Sequence, residues 1–474
     1  RSGFGMFYDR GEFFTYLSPG AGRGFSGPFG VTLQLPFTEQ IGADSTGTLD
    51  TPFGTQPPAP PADKDAITAL MPDLAQLRKG AAPYLFGGYD PRNTLPYTIG
   101  WSLDLQYQLS NSWLLTLGYV GNHGVHQILP IPFNQPGIAT PSNPIHGETS
   151  SYGFNMTPAE TVKTNEGGNT DLRVPYIGYS SNSVLYQSIG VSSYNSLQAG
   201  LRKQLSRGLQ LTASYTWSHT LDEQSALGLF FNGNNPLNPH DSWGTSSYDR
   251  THVFIVSYLY ELPKPVQSNG FAGQVLNGWQ WSGMTVAQSG QPFNMYDYSG
   301  AVAGIYYGNT INVADPLIGF QPGVTYSEVQ LQGTTGINAA KPYIDVTKLY
   351  VPTLAPGTNG VPPCSTVNNT QVCDNYEAGF ANSGRNVFRG PFQTRFDMAL
   401  SKVFQIRERY DLRFSAEAFN IFNQTSFDVP NNSTSLYSVS GGKVTLRAPS
   451  SSAGYISHTI GSPRFLQLSL HLTF

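Results

Sequence analysis

The last nine residues, 466–474, alternate between apolar and polar side chains. Leu466, Leu468, Leu470, Leu472 and Phe474 are large and apolar, and the four residues between them are polar. This period of two predicts a β-strand with one apolar face and one hydrated face. A strand of about ten residues, tilted by roughly 45°, is long enough to cross a bilayer as part of a closed barrel. The segment therefore predicts an all-β fold, a transmembrane antiparallel β-barrel of the outer-membrane type with long extracellular loops.

The composition excludes several other classes of protein. Charged residues make up 12% of the 474 residues, against a usual fraction of about 25%. The formal net charge of -4 provides no basic surface, so no nucleic-acid partner is expected. No run of about 18 apolar residues is present, which excludes a transmembrane helix. Because Arg1 opens directly into a strand-like segment without a signal peptide, we expect a mature fragment of a longer protein.

Alternation like that of the last strand recurs along the chain. It predicts ten membrane strands, at 3–9, 97–109, 113–121, 195–205, 209–219, 250–262, 278–289, 394–405, 409–421 and 464–474. Long stretches rich in Gly, Pro and Asn separate some of them, at 10–96, 122–194, 220–249, 290–393 and 422–463. If Phe474 lies at the periplasmic face, every short connection is periplasmic and every long one is external. Outer-membrane barrels have this asymmetry.

Aromatic residues concentrate near the ends of the predicted strands. Interfacial girdles explain this placement, because Trp and Tyr rings favour the boundary between lipid and water. The core of a soluble β-protein would also be rich in aromatic residues, but strand spans near ten residues favour the girdle. The predicted girdle residues are Trp101, Trp113, Tyr119, Trp217, Trp279 and Trp281.

Charged residues on the hydrated faces of two predicted strands form a possible polar ladder toward the lumen. They are Arg395, Asp397, Arg413 and Glu417. Oppositely charged pairs across neighbouring strands stabilise a sheet, so a role in the barrel wall competes with a role in substrate contact. Asp249 and Arg250 precede another strand. We interpret them as a local ion pair at a strand end, or alternatively as a charge pair facing the lumen.

The two cysteines, Cys364 and Cys373, lie close together in a polar stretch of a predicted external connection. A disulfide that clips this loop would contribute about 2–3 kcal/mol in an oxidising compartment. The alternative is two free thiols. No further ligands stand nearby at metal-binding spacing.

No catalytic, cofactor-binding or metal-binding set of residues emerges elsewhere. His123 and His126 are close in sequence but lack an identifiable third ligand. Four residues with hydrolase-like side chains lie at a strand end and in the loop after it, with no nucleophile elbow nearby: Ser218, His219, Asp222 and Glu223. The chain is therefore not expected to be an enzyme.

Six short segments carry a resemblance to a known family. They are 192–198 (SSYNSLQ), 213–219 (ASYTWSH), 248–254 (YDRTHVF), 388–391 (FRGP), 417–423 (EAFNIFN) and 461–464 (GSPR). In this order they resemble the C-terminal barrel half of Oar-like TonB-dependent receptors. The resemblance implies a barrel of about 22 strands filled by an N-terminal plug. It also implies a short periplasmic box, on the plug side, that engages the energy-transducing partner TonB.

Three functions are compatible with these observations. The first is the barrel of a TonB-dependent transporter-like receptor in the bacterial outer membrane, which takes up a large substrate through external loops and a plugged lumen. The others are an outer-membrane scaffold or adhesion protein that binds partners through its loops, and a passive porin. Residues 1–474 are expected to form a single β-barrel domain, the C-terminal part of a larger barrel, with plug and signal peptide absent.

The expected partners follow from the same interpretation. They are outer-membrane lipid, the barrel-assembly machinery, TonB through a missing N-terminal region, and an unknown external substrate or protein. The aromatic carboxyl terminus at Phe474 resembles the signal that the assembly machinery recognises, although Phe474 could instead be one more girdle residue.

Overall fold

The computed structural model describes most of the predicted strands and part of the long connections. The described residues are 1–9, 87–137, 145, 173–179, 183–225, 233, 235, 238–267, 270–297, 317–321, 323–331, 336–337, 339–350, 364–367, 370–373, 383–407, 410–434, 437–440, 443–446 and 450–474.

Ten long strands dominate the structure, and each corresponds to a predicted one. They are β1 (Ser2–Tyr8), β2 (Tyr97–Ser110), β3 (Trp113–Pro132), β4 (Val184–Ser206), β5 (Leu209–Asp222), β6 (His252–Glu261), β7 (Trp279–Gln288), β8 (Gln393–Arg407), β9 (Tyr410–Phe419) and β10 (Phe465–Thr473). They form one antiparallel sheet in which each strand pairs with the next along the chain. The edge strands are β1 and β10, and among the described residues no pairing joins them.

Short elements complete the described part of the chain. The helical ones are α1 (Phe271–Leu276), a helix at Tyr326–Val329, and 3-10 turns at Pro239–Ser242 and Val346–Lys348. The short strands are Gly87–Tyr89, Gly244–Thr245, Pro292–Phe293, Tyr296–Asp297, Gly319–Phe320, Leu349–Tyr350, Cys364–Val367, Thr370–Cys373, Phe388–Arg389, Ser426–Phe427, Ser433–Thr434, Tyr437–Ser440, Lys443–Leu446 and Thr459–Ile460. Within the described residues, every helix is too short or too polar to span a membrane.

The connections differ sharply between the two ends of the sheet. At one end, Asn111-Ser112 joins β2 to β3 and Arg207-Gly208 joins β4 to β5. Arg207 and Gly208 both have positive φ angles, of 51° and 78°, which is the backbone of a type I′ hairpin turn. The long connections lie at the opposite end, and we call their described parts the outer layer: residues 223–251 after β5, 289–392 after β7 and 420–464 after β9.

Strand register gathers the apolar side chains onto one face of the sheet. One row runs from Leu103 to Tyr119, Leu197 and Trp217 across β2 to β5. Much of this face is open: Leu105 is 62% exposed and Leu470 on β10 is 69% exposed. A soluble monomer rarely exposes a contiguous apolar surface of more than a few hundred Å², so this face requires lipid as its solvent.

The opposite face of the sheet is polar. On β2, Asp104 and Gln106 alternate with the apolar leucines, and on β9 the alternating positions are Arg413, Ser415 and Glu417. A sheet with one lipid-compatible face and one hydrated face forms the wall of a water-containing lumen.

One hydrophobic core lies in the outer layer, apart from the smaller buried cluster of Val174 and Ile177. It consists of Phe293, Met295, Ile318, Val329, Tyr343, Ile344, Val346, Leu349, Phe388, Ala453 and Ile456. These residues come from the connections after β7 and after β9, so the two connections fold against each other as one unit.

Two strands extend about ten residues beyond their predicted ends. β3 continues to Pro132 and β4 starts at Val184, whereas the sequence placed 122–132 and 184–194 in an external connection. The register shifts at Gly124–Gln127, where His126 has a φ angle of 57°. This bulge interrupts the alternation, and pairing then resumes from Gln127 to Pro132.

Candidate functional site

The candidate site is the outer layer, where three connections meet above the sheet. Phe388 is 2% exposed and is the aromatic centre of the core there. Its ring stacks on Phe293 at 5.6 Å and on Tyr326 at 5.7 Å, and it meets Phe320 edge-on at 5.8 Å. Buried aromatic pairs contribute about 0.5–1.5 kcal/mol each beyond the area they bury, so Phe388 fixes the position of the residues that follow it.

Arg389 links this core to the connection between β5 and β6. Its guanidinium forms an ion pair with Asp249, whose carboxylate is fully buried. Asp249 also accepts the Thr220 N–H at 2.6 Å and the Thr251 hydroxyl at 3.1 Å. On the other side, the Arg389 carbonyl accepts the Tyr343 hydroxyl at 2.8 Å. A single residue thus joins the hydrophobic core to the top of β5.

Arg385 forms a second link between the same two connections. Its side chain is 7% exposed and pairs with the Asp222 carboxylate at the end of β5. The guanidinium also donates to the Ser242 carbonyl at 2.9 Å and to the Ser225 hydroxyl at 3.1 Å. A buried guanidinium is tolerated only when its donors find acceptors, and these three residues provide them.

Asn386 and Glu223 extend this polar network. Asn386, with a φ angle of 54°, donates through its amide to the Thr245 carbonyl at 2.7 Å. Glu223 is 1% exposed, accepts the Val191 N–H at 2.9 Å and contacts the His240 ring nitrogen. The network therefore ties β4, β5 and two outer connections to one another.

Two glycines allow the closest backbone approach in the outer layer. A Cβ atom added to Gly290 would lie 1.9 Å from the carbonyl oxygen of Gly390. No side chain fits there, because real Cβ atoms do not approach backbone atoms so closely. The Gly390 N–H donates to the Gln291 carbonyl at 2.9 Å, which closes the base of the connection between β7 and β8.

The corner between β9 and β10 is organised by Asn420. This residue has a φ angle of 51°, a conformation that Asn tolerates better than most residues. Its N–H donates to Asp397 at 2.8 Å and its side-chain amide donates to the Ser462 carbonyl at 3.1 Å. Asn423 accepts the Arg464 N–H at 3.0 Å. The segments 417–423 and 461–464, which carry part of the family resemblance, are therefore joined in space.

Burial shifts the pKa values of three groups in the outer layer and raises that of Tyr326. Desolvation raises the pKa of Tyr343 to about 12, so its phenol stays neutral and donates to Arg389. Desolvation, followed by the nearby charge of Arg389, lowers the pKa of Arg250. An arginine remains protonated despite such a shift.

The local ion pair predicted between Asp249 and Arg250 is wrong. Arg250 donates to the Asp249 backbone carbonyl at 2.9 Å, whereas the Asp249 carboxylate pairs with Arg389, which is 140 residues away in the sequence. His219 also approaches that carboxylate, at 3.5 Å. Sequence reasoning singled out the segments around Asp249 and Arg389 but not their contact, and it missed Arg385 entirely.

The six predicted girdle residues all lie on the apolar face, at two levels. Trp101, Tyr119 and Trp217 lie toward the outer layer, and Trp113, Trp279 and Trp281 lie toward the short turns. Along β3, Gly121, the partner of Trp101, lies eight residue steps from Trp113. At about 3.4 Å per residue and a tilt of about 40°, this run rises about 20 Å, close to the height of about 25 Å of an apolar membrane band.

The four residues of the possible polar ladder share the polar face but are not all in contact. Arg395 and Asp397 pair within β8 at 2.8 Å. Arg413 and Glu417 lie on β9 opposite Val403 and Ala399. The structure thus brings together one pair of the four, and a continuous ladder stays a prediction.

Cys364 and Cys373 are backbone partners in a two-stranded hairpin, Cys364–Val367 with Thr370–Cys373. Their side chains lie outside the described part of the structure, so the disulfide stays a prediction.

Phe474 follows β10, at the end of the sheet that carries the short turns, and is 91% exposed. Within the described residues, no group of three or more His, Cys, Asp or Glu side chains is arranged to hold a metal ion.

An all-β sheet with a lipid-compatible face, a polar face and large connections at one end defines a membrane β-barrel protein. Residues 1–467 match the model of the family described as outer membrane beta barrel domain. The chain belongs to this family, which confirms the predicted fold class and the predicted location in the bacterial outer membrane. It is a membrane barrel and not an enzyme.

Several solved structures are similar to parts of this chain. The outer membrane transporter YddB from Escherichia coli is 10% identical over 81% of this chain and 33% of its own, with a TM-score of 0.36. The siderophore receptor PirA from Acinetobacter baumannii is 9% identical over 82% of this chain and 33% of its own, with a TM-score of 0.33. This chain therefore spans about a third of the length of these proteins. Among curated proteins, none matches it.

Proposed function

We propose that this chain is the barrel wall of an outer-membrane receptor of the TonB-dependent transporter type, which takes up a large substrate through its outer layer and a plugged lumen. The observation that carries this proposal is that three outer connections pack against one another as one layer, next to a sheet with one polar face. Asp249 and Arg389, which join two of these connections, both lie in segments that resemble Oar-like receptors.

The wall itself contributes hydration and shape rather than chemistry. Polar side chains such as Asp104, Gln106 and Glu417 line the face opposite to the lipid, which suits the passage of a hydrated substrate. The outer layer captures the substrate, and movement of a plug driven by TonB opens the path. The substrate and the outer partner are contacted by residues of the outer layer.

A larger barrel accounts for the two free edges of the sheet. Exposed edge strands present unpaired backbone groups, and in a bilayer these groups must be paired. Residues 1–474 therefore form the C-terminal part of one barrel domain, and further strands pair with β1 and β10. The unpaired edges among the described residues support this arrangement.

The membrane-facing roles predicted from the sequence belong to the same proposal. The two aromatic levels hold the wall at the lipid boundaries, and outer-membrane lipid covers the apolar face. Phe474 is the signal for the barrel-assembly machinery. The pair of Arg395 and Asp397 stabilises the lumen side of β8.

A scaffold that binds partner proteins is the second candidate function. The hydrophobic core of the outer layer supports it, because a layer with its own core presents a stable surface for a protein partner. A scaffold needs neither a plug nor TonB, which separates it from the first candidate.

The deciding experiment is to isolate the intact protein from native outer membranes and determine its mass and N-terminal sequence. A species well above 51.5 kDa, with a plug and a TonB box ahead of Arg1, is expected. A species of 51.5 kDa that starts at Arg1 would refute active transport and leave the scaffold. Ion conductance by that smaller species would instead indicate a passive porin.

A further inference from the structure

Helix α1 lies in the connection between β6 and β7, at the end of the sheet that carries the short turns. It exposes three apolar side chains: Phe271 is 84% exposed, Leu276 is 51% exposed and Val275 is 40% exposed. Gly273 is the buried residue of the helix. At 100° per residue, Phe271 and Val275 each lie about 160° around the axis from Gly273. These two side chains therefore point away from the protein.

The helix is fixed in position despite its short length. Lys402 donates from its Nζ atom to the Val275 carbonyl at 3.2 Å and also to the Asn277 carbonyl. The Trp279 indole donates to the same Val275 carbonyl at 3.0 Å. The Asn277 side chain closes the connection by bonding both backbone groups of Val266, at 2.7 Å and 3.2 Å.

The residues that hold the helix lie on the lipid-compatible face of the sheet. Lys402 on β8 is the register partner of Trp279 on β7 and of Phe414 on β9. All three belong to the apolar face, and Phe404 continues that face beyond Lys402, with its ring centre 4.9 Å from the lysine Nζ. Lys402 is 2% exposed, and its hydrogen-bond acceptors are the carbonyls of Val275 in α1 and of Asn277, the C-cap residue of the helix. The helix is therefore on the lipid side of the wall, at its periplasmic rim.

Lys203 shows that a buried lysine on this face can find its hydrogen-bond acceptors without an exposed helix. Lys203 also lies on the apolar face near the short turns, close to Trp113. Its Nζ donates to the Ser206 carbonyl at 2.7 Å, the Ser206 hydroxyl at 2.9 Å and the Leu209 carbonyl at 2.7 Å. A tight turn alone satisfies this lysine, so the apolar residues of α1 have another purpose.

We propose that α1 is an interfacial anchor whose Phe271 and Val275 side chains insert among the acyl chains of the periplasmic leaflet. The occupant of this surface is glycerophospholipid, because the exposed side chains continue the apolar face that already contacts the bilayer. A short apolar helix surface at the headgroup boundary binds lipid in proportion to the apolar area that it buries. Lys402 and Trp279 place the helix at this depth, with the lysine charge drawn toward the rim.

Fluorescence quenching in membranes tests the proposal directly. A single cysteine is introduced as Phe271→Cys or, for the matched control in the same connection, as Lys264→Cys, each in a Cys364→Ser, Cys373→Ser background. Both variants are labelled with an environment-sensitive dye in vesicles of phosphatidylethanolamine and phosphatidylglycerol. Lipids with a nitroxide on the acyl chain should quench the dye at 271 several-fold more than at 264. Aqueous iodide should give the opposite order.

Equal quenching by iodide at both positions would overturn the anchor. Phe271 is already mostly exposed, so its replacement is not expected to affect folding, and a heat-modifiable folded band on gels verifies this. Val275→Cys repeats the measurement one turn further along the helix and should agree with Phe271→Cys. Strong iodide quenching at 275 would also contradict the proposal.

Discussion

Replacing Asp249 with alanine should loosen the outer layer from the top of the sheet. The Asp249 carboxylate is fully buried, pairs with Arg389 and accepts the Thr220 N–H at 2.6 Å. The alanine variant leaves the guanidinium and this backbone donor without their acceptor. Removing one partner of a buried ion pair costs about 3–5 kcal/mol. Because the Arg389 side chain keeps 25% exposure and so retains some hydration, the lower end, about 3 kcal/mol, applies.

The matched control is Arg395→Ala, which removes an ion pair from a more exposed place. The Arg395 side chain is 50% exposed and pairs with Asp397 at 2.8 Å. Exposed pairs contribute about 0.2–1 kcal/mol, so this variant should change stability by less than 1 kcal/mol or so. Asp249→Asn retains an acceptor for Thr220 but loses the charge, and it should fall between the two.

Amide hydrogen exchange on the folded protein in membranes provides the assay. The reporters are the Ser246 N–H, bonded to the Thr220 carbonyl at 2.9 Å, and the Gly390 N–H, bonded to the Gln291 carbonyl at 2.9 Å. A loss of about 3 kcal/mol corresponds to a drop in protection of about 150-fold for Asp249→Ala. Wild-type protection at both amides in that variant would show that the ion pair does not hold the two connections together.

Three further predictions concern other parts of the chain. Deletion of Phe474, which is 91% exposed, should lower the amount of heat-modifiable barrel inserted in the outer membrane, and unchanged insertion would contradict its role as an assembly signal. Non-reducing mass spectrometry of thiol-alkylated protein should find Cys364 and Cys373 unmodified until a reductant is added, and prompt alkylation of both would exclude the disulfide. The pKa of Tyr343, raised by burial to about 12, lies above the value of about 10 expected for an unfolded chain. The outer layer should therefore lose stability as pH rises from about 10 to about 12. Because burial also raises the pKa of Tyr186 to about 12, the late phenolate step of Tyr343→Phe should be smaller than that of the wild type rather than absent; a late step equal to that of the wild type would contradict the assignment.

The strands could be predicted from the sequence because each one has to separate lipid from water. Leu466 to Leu472 on β10 show this in its simplest form, where every second residue is apolar. The same rule fails at the outer ends of β3 and β4. There the bulge around His126 inverts the alternation, and Pro130 and Pro132 are residues that strands disfavour.

The candidate site could be predicted only in part. The segments around Asp249, Arg389 and Asn420 resemble those of a known family, but the sequence does not show which residues they contact. The Asp249–Arg389 contact joins residues 140 positions apart, and no local pattern reports such a distance. One feature of the sequence could have identified Arg385. In a chain with 12% charged residues, an arginine between Gly384 and Asn386 in a long connection is a candidate for burial.

Helix α1 was beyond sequence reasoning for a different reason. Its six residues cover fewer than two turns, too few for a helical period to emerge. Its position depends on Lys402, which comes from a strand more than 120 residues later. Only the folded sheet brings the two together.

Lipid accessibility along β2 tests the central claim, that this sheet is a membrane wall with a lipid face and a lumen face. Nitroxide labels are placed singly at Ser102, Leu103, Asp104, Leu105 and Gln106, and their collisions with oxygen and with a water-soluble nickel chelate are measured in native-like membranes. Labels at 103 and 105 should collide with oxygen and avoid nickel, whereas those at 102, 104 and 106 should not share this lipid signature. Accessibility that fails to alternate with a period of two would contradict the central claim.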